Sequence, residues 1–240
     1  MRLLLALLLW ITAVPAAAQS IPAGEYAARR DSLAARLDSG VVVAFGGRNP
    51  VTPERFVQLP AFRYLTGFLE PDAALVMVVR GGEDSATLFT SARDPRRALY
   101  DGFPPDSAEV ARRTGIRARS IGALEAHLDS LAGTGLPFYT LRDFATADAA
   151  GTDSLTRGAH FMRELARRHP ELTLRDAHPV LDSLRSRKSP AELAMLRQAI
   201  AITGRALREV MRALRPLTCS APTGRWETWA TSASCSPWQV

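Results

Sequence analysis

At 240 residues, with 47% hydrophobic and 22% charged side chains, the chain has room for one well-cored globular domain and little more. The net charge is +6 and the sequence pI about 10.1. Lys188 is the only lysine, and the arginines are scattered beside acids, as in Arg29-Arg30-Asp31, Arg93-Asp94 and Arg163-Glu164. That texture lacks the basic stripe with interleaved aromatics that would mark a nucleic-acid partner, and coding bias accounts for the preference for arginine.

The amino terminus reads as an export signal. Arg2 gives a positive start, Leu3 to Val14 is apolar apart from Thr12, and Ala16-Ala17-Ala18 offers small residues for cleavage before Gln19. A span of the bilayer takes about 20 residues as a helix, so this run is too short to be one. The alternative, a buried helix, would have no polar face. Residues 1–18 are therefore expected to be a signal peptide, the mature protein periplasmic or secreted, and no membrane a partner after cleavage. The absence of a cysteine after the small residues argues against a lipid anchor.

Pro22 to Ser39 is predicted as a helix, with Tyr26, Arg30, Leu33 and Leu37 on one face and Gly40 ending it. Val41 to Phe45 and Leu75 to Val79 are continuous apolar runs suited to buried strands. Arg80 to Asp84 supplies a turn from which Ala86 to Thr90 returns antiparallel. Further on, Asp106 caps a helix carrying Val110, and Ile116 to Arg119 is strand-like. Ile121 to Leu131 is helical, Phe138 to Leu141 a strand, and Ser154 to Arg168 a helix. This alternation predicts an α/β domain with a mixed sheet flanked by helices.

Ser189-Pro190-Ala191-Glu192 is a helix start, with a capping box and proline at the first helical position. Leu193, Leu196, Ile200, Thr203, Leu207, Val210 and Leu214 then recur at spacings of three and four. Such a helix would run about 39 Å at 1.5 Å per residue before Pro216, and its stripe needs a partner surface. Beyond Pro216 the composition breaks. Three of the four tryptophans and both cysteines, Cys219 and Cys235, fall among small polar residues without a period. An out-of-frame or foreign ending is expected there; a genuine short tail is the alternative.

Candidates for chemistry are sparse. His160 and Glu164 stand at i and i+4 on a predicted helix but have no third ligand nearby. His169 and His178 each precede a proline and read as exposed or capping residues. Ser183 and Ser186 have no evident base, and the chain has no Gly-x-Ser-x-Gly elbow. Gly46-Gly47 and Gly81-Gly82 lack the spaced glycines and lysine of a phosphate loop. Asp143, Asp148 and Asp153 lack the alternation of a calcium loop.

Several blocks, taken in order, carry a family resemblance. They are Phe56 and Gln58; Tyr64-Leu65-Thr66-Gly67-Phe68; Glu70-Pro71; the strand Leu75 to Val79; Leu88-Phe89 with Arg93-Asp94; Tyr100-Asp101-Gly102; and Arg185 to Arg215. Together they resemble the amino-terminal domain of aminopeptidase P, the Xaa-Pro aminopeptidase family, over about Ala23 to Pro216. Leu59-Pro60-Ala61 departs from the pattern, which is usually polar there.

The resemblance implies a six-stranded mixed sheet of ribonuclease H-like type at residues 19–180. It makes residues 181–216 the linker and first helix of a catalytic domain, and leaves 217–240 outside the family. It further implies an enzyme that removes an amino-terminal residue preceding proline, using two divalent metal ions, often manganese, in a later domain. No catalytic or metal-binding residue is expected within this chain, which is read as truncated before that domain and inactive alone. Tyr100 occupies the family's aromatic substrate-entrance position, although a surface aromatic in a turn is an equal reading. Peptides with proline second are the implied substrates, and a homo-oligomer the implied assembly. The competing reading is a stand-alone oligomerisation or peptide-binding module.

Overall fold

The computed structural model describes residues 21–49, 56–91, 98–99, 102–141 and 157–214. The chain divides into two units, Met1–Leu193 and Ala194–Val240. The first opens with helix α1 (Ala23–Leu37) and strand β1 (Gly40–Phe45), then α2 (Pro60–Thr66), β2 (Ala74–Arg80) and β3 (Glu83–Thr90). It continues through α3 (Ser107–Thr114), β4 (Arg117–Ser120), a 3₁₀ turn at Ile121–Ala123, α4 (Leu124–Ala132) and β5 (Phe138–Thr140). Helix α5 (Arg157–Arg168), β6 (Leu174–Asp176) and α6 (His178–Ser186) complete it, and α7 (Pro190–Ala213) runs on into the second unit.

The six strands form one mixed sheet in the order β4-β3-β2-β1-β5-β6. Strands β1 to β3 are an antiparallel meander, while β3–β4, β1–β5 and β5–β6 pair in parallel. This is the mixed, helix-flanked sheet expected from the sequence. Every residue of β1 is buried, because helices cover both faces and leave no side for polar residues. On one face Val42, Ala44, Leu75, Met77 and Leu88 pack with Leu33 of α1, Phe62 and Leu65 of α2, Val110 of α3 and Leu181 of α6. On the other, Val41, Val43, Val76 and Phe89 meet Leu124 and Leu128 of α4 and Met162 and Leu165 of α5. Each fully buried side chain of this size contributes about 1.5–3 kcal/mol.

Local chemistry sets the boundaries. Asp106 accepts a hydrogen bond from the Glu109 amide at 2.8 Å, capping α3 as expected. The capping box at α7 is complete: Ser189 Oγ accepts from the Glu192 amide at 3.0 Å, and Glu192 Oε2 from the Ser189 amide at 2.9 Å. Helix α1, by contrast, is ended by Asp38, at φ 61°, whose amide donates to the Ala34 carbonyl. Gly40 already belongs to β1. A Cβ there would lie 2.5 Å from the Tyr139 ring and 2.7 Å from the Pro137 carbonyl, so its glycine serves close packing rather than helix termination. The helix expected over Ile121 to Leu131 begins as the 3₁₀ turn, and the one expected over Ser154 to Arg168 is described from Arg157.

Candidate functional site

Three charged residues of the first unit, Glu25, Arg29 and Glu192, converge where α1, α2 and the start of α7 meet. Glu25 and Arg29 are one turn apart on α1, and their side chains pair. The same guanidinium reaches Glu192 at 3.1 Å and donates to the Tyr64 carbonyl at 3.2 Å. It lies over the Tyr64 ring at 4.3 Å and near the Tyr26 ring at 5.1 Å. Ser189 Oγ donates to Glu25 at 2.7 Å, closing the set. Arg29 retains only 8% of its side-chain exposure, so its charge is compensated by two carboxylates, a carbonyl and two ring faces. Burial raises the Tyr64 hydroxyl pKa, an effect that Arg29 opposes.

The Tyr64-Leu65-Thr66-Gly67-Phe68 block builds one wall of this junction. Leu65 and Thr66 are buried in α2, and Thr66 Oγ1 bridges the Phe62 carbonyl and the Phe68 amide at 2.8 and 3.0 Å. Gly67 turns the chain at φ +64°, and a Cβ on it would lie 2.5 Å from the Tyr26 ring. Only glycine satisfies both the backbone and the contact. Gln58 is buried with both ends of its amide bonded: Oε1 accepts from Gly47 and Leu59 at 2.7 and 2.9 Å, and Nε2 donates to the Glu70 carbonyl at 2.9 Å. The block and Gln58 thus hold backbone in place and present no reactive group.

On the sheet side of α1, Arg30 donates to the Leu65 carbonyl at 3.0 Å and stands 3.8 Å from Asp84 of β3. Its Nε is buried with no hydrogen-bond partner. Burial lowers the Arg30 pKa against the pull of Asp84 and Asp31. The Asp84 carboxyl is raised from 3.8 to about 6, by burial first and then by its hydrogen bond to Asp31, against the opposing charge of Arg30.

The histidines and serines picked out in the sequence do not assemble into a centre. His160 is exposed, and Glu164 bonds to Arg167 at 3.1 Å. His169 follows α5 and meets Asp129 of α4 at 2.9 Å, a bond that, with Arg168, holds the Asp129 pKa down. Rather than simply exposed, it ties α5 to α4. His178 is the first residue of α6, with Nε2 3.0 Å from Asp182, so proline after it starts a helix instead of extending the chain. Ser183 accepts from Arg36 at 3.2 Å, and Ser186 Oγ donates to the Ser183 carbonyl. Asp143, Asp148, Asp153, Tyr100, both cysteines and the signal segment lie outside the described residues. Among the described residues no three His, Cys, Asp or Glu side chains cluster as a metal site, so a two-metal centre does not fit them. Nor, among those residues, is any helix long and apolar enough to cross a membrane.

Arg29, Glu25 and the second role of Glu192 belong to no motif in the sequence. The Glu25–Arg29 spacing was the one local signal for them.

A six-stranded mixed sheet with helices on both faces defines the class as a helix-flanked α/β domain, in which Glu192 and Ser189 bond to Arg29 and Glu25 of α1. Residues 26–136 match the aminopeptidase P, N-terminal domain. The Xaa-Pro aminopeptidase of Escherichia coli (strain K12) is 27% identical over 202 residues, covering 80% of this chain and 45% of its own length. Xaa-Pro aminopeptidase 3 of Rattus norvegicus is 30% identical, with 78% and 40% covered. Among solved structures, proline aminopeptidase P II from Yersinia pestis matches with a TM-score of 0.67 at 26% identity, over 82% of this chain and 46% of its own. Aminopeptidase P from E. coli with the inhibitor Pro-Leu gives a TM-score of 0.66 at 26% identity and the same coverage. The chain belongs to the aminopeptidase P family through its N-terminal domain, and it spans less than half the length of these relatives.

Proposed function

We propose that this chain is the N-terminal part of an exported Xaa-Pro metalloaminopeptidase, which removes an amino-terminal residue preceding proline, and that the part described takes no direct share in bond cleavage. In this reading residues 1–18 are the export signal, 19–180 the N-terminal domain, 181–216 the linker and first catalytic-domain helix, and 217–240 lie outside the family. The observation that carries it is the match of residues 26–136 to the family's N-terminal domain, followed by a capped helix at Ser189. Two divalent ions, manganese foremost, would activate water and hold the substrate's free amine in the family's catalytic domain. The domain's share is to narrow the substrate entrance, with Tyr100 as the entrance aromatic, and to help subunits assemble.

The test is hydrolysis of an Xaa-Pro-Xaa peptide in the presence of manganese, cobalt or zinc. The 240-residue chain is compared with a chimaera in which the sequence after Pro216 continues as the metal-binding region of a relative. Metal-dependent turnover by the chimaera alone is the expected result; comparable turnover by the 240-residue chain overturns the assignment. A stand-alone assembly module is the second reading, favoured by the exposure of Leu196, Ile200 and Leu207 on α7 and of Leu214 just after it. It predicts an inactive chimaera and a chain that associates with itself.

A further inference from the structure

Beside the Arg29 junction lies a cleft of about 410 Å³, lined by Tyr26, Arg29, Arg63, Tyr64, Arg185 and Lys188 among others. Among the described residues Glu192 is the only carboxylate in its lining. We propose that this cleft binds a small organic oxyanion, a carboxylate or phosphate group on a compact body, with Arg63 and Lys188 as its principal charge partners.

Some of the charges around the cleft are already paired. Arg29 is neutralised by Glu25 and Glu192 and held between two tyrosine rings. Arg185 is drawn toward Asp182 at 3.4 Å. Among the described residues Lys188 has the Arg185 carbonyl as its one hydrogen-bond partner. Arg63, exposed on the last turn of α2, has no acid partner among the described residues. Three cations beyond Arg29 therefore face one cleft with a carboxylate already committed elsewhere, which leaves a local excess of positive charge for an anion to satisfy.

The shape supports the same conclusion. The volume lies in the range of small-molecule sites, about 300–1,000 Å³. The rings of Tyr26 and Tyr64 with Pro60, Val57 and Ile21 supply an apolar wall for a ligand body. A guanidinium fork matches an oxyanion through two parallel hydrogen bonds, and an ammonium adds a point charge. Arg63 sits on α2, whereas Arg185 and Lys188 lie on and just after α6. A bound oxyanion would bridge them and hold the segment that leads into α7.

The experiment is calorimetric titration of the full chain with citrate, succinate and inorganic phosphate at constant ionic strength. Hydrogen exchange is followed at residues 185–192 with and without the tightest probe. At least one probe is expected to bind one-to-one and slow exchange there. In Arg63→Gln/Lys188→Gln its affinity should fall at least tenfold, while Lys188→Arg keeps it. Arg112→Gln/Arg113→Gln lowers the net charge equally on exposed positions of α3 and should leave binding unchanged. Phosphate alone binding assigns the site to phosphates; citrate or succinate alone assigns it to carboxylates. No saturable binding by any probe, or equal loss in both double variants, overturns the proposal.

Discussion

Arg29 brings one positive charge to two carboxylates, and its removal would leave Glu25 and Glu192 facing each other without a cation. Arg29→Ala is expected to destabilise the fold by about 2–4 kcal/mol in urea denaturation, because a buried pair loses one partner and two rings lose their stacked cation. Glu192→Gln keeps a hydrogen-bond acceptor and should cost about 1 kcal/mol. Equal effects of the two would show that the guanidinium is no hub. Asp84 poses the opposite case, a carboxyl raised from 3.8 to about 6 by burial and Asp31. A carboxyl with a raised folded pKa stabilises the fold while protonated. That contribution is complete below about pH 4 and is lost as the pH rises through about 6. Asp84→Asn keeps an acceptor for Arg30 and has no proton to lose. The natural chain should therefore lose about 1–2 kcal/mol relative to Asp84→Asn between pH 4 and 7, allowing for screening. A pH-independent difference between the two proteins would refute this.

The turn after α2 shows how one short element fixes another. Gly67 and Gly81 both hold positive φ, +64° and +60°, but only Gly67 faces a neighbour, the Tyr26 ring at 2.5 Å, whereas Gly81 has open space. Gly81→Ala should cost about 1 kcal/mol from backbone strain alone. Gly67→Ala must also displace Tyr26 from beside Arg29, and a loss of about 2–4 kcal/mol in thermal unfolding is expected. Similar losses at both sites would mean that the ring moves freely. The same contrast explains what could be read beforehand. Strands β1 and β2 were legible because burial on both faces leaves uninterrupted apolar runs, and the α7 start because its capping box closes within four residues. Helix α2 has seven residues, too few to display a period, and β6 is three exposed residues with no apolar signature. The Ser189–Glu25 bond joins residues 164 apart, so no local pattern could announce it. Gly40 was misassigned because a glycine after a helix usually ends it, and only the sheet reveals Tyr139 beside it.

For the chain as a whole, the proposed export rests on Leu3 to Val14 followed by Ala16-Ala17-Ala18. Mass spectrometry of protein from its own host should find an amino terminus at or near Gln19; a cytoplasmic protein beginning at Met1 would refute export. The other property at this scale is association. Helix α7 has 24 residues and contains no buried one, and Leu196, Ile200 and Leu207 are 48%, 70% and 58% exposed. Their spacing puts them along one stripe, about 17 Å from Leu196 to Leu207 at 1.5 Å per residue. A contiguous apolar surface of that length in water drives association, since each side chain covered by a second copy regains part of its burial energy. The purified chain should therefore show a scattering mass that rises with concentration. Leu196→Glu/Ile200→Glu/Leu207→Glu should stay monomeric, because pairing two such stripes would then bury carboxylates against one another. Circular dichroism distinguishes the possible causes. A soluble variant with the parent's helix content and melting temperature shows that the stripe serves association alone, whereas loss of the fold in the variant, or a parent monomeric at every concentration, refutes the prediction.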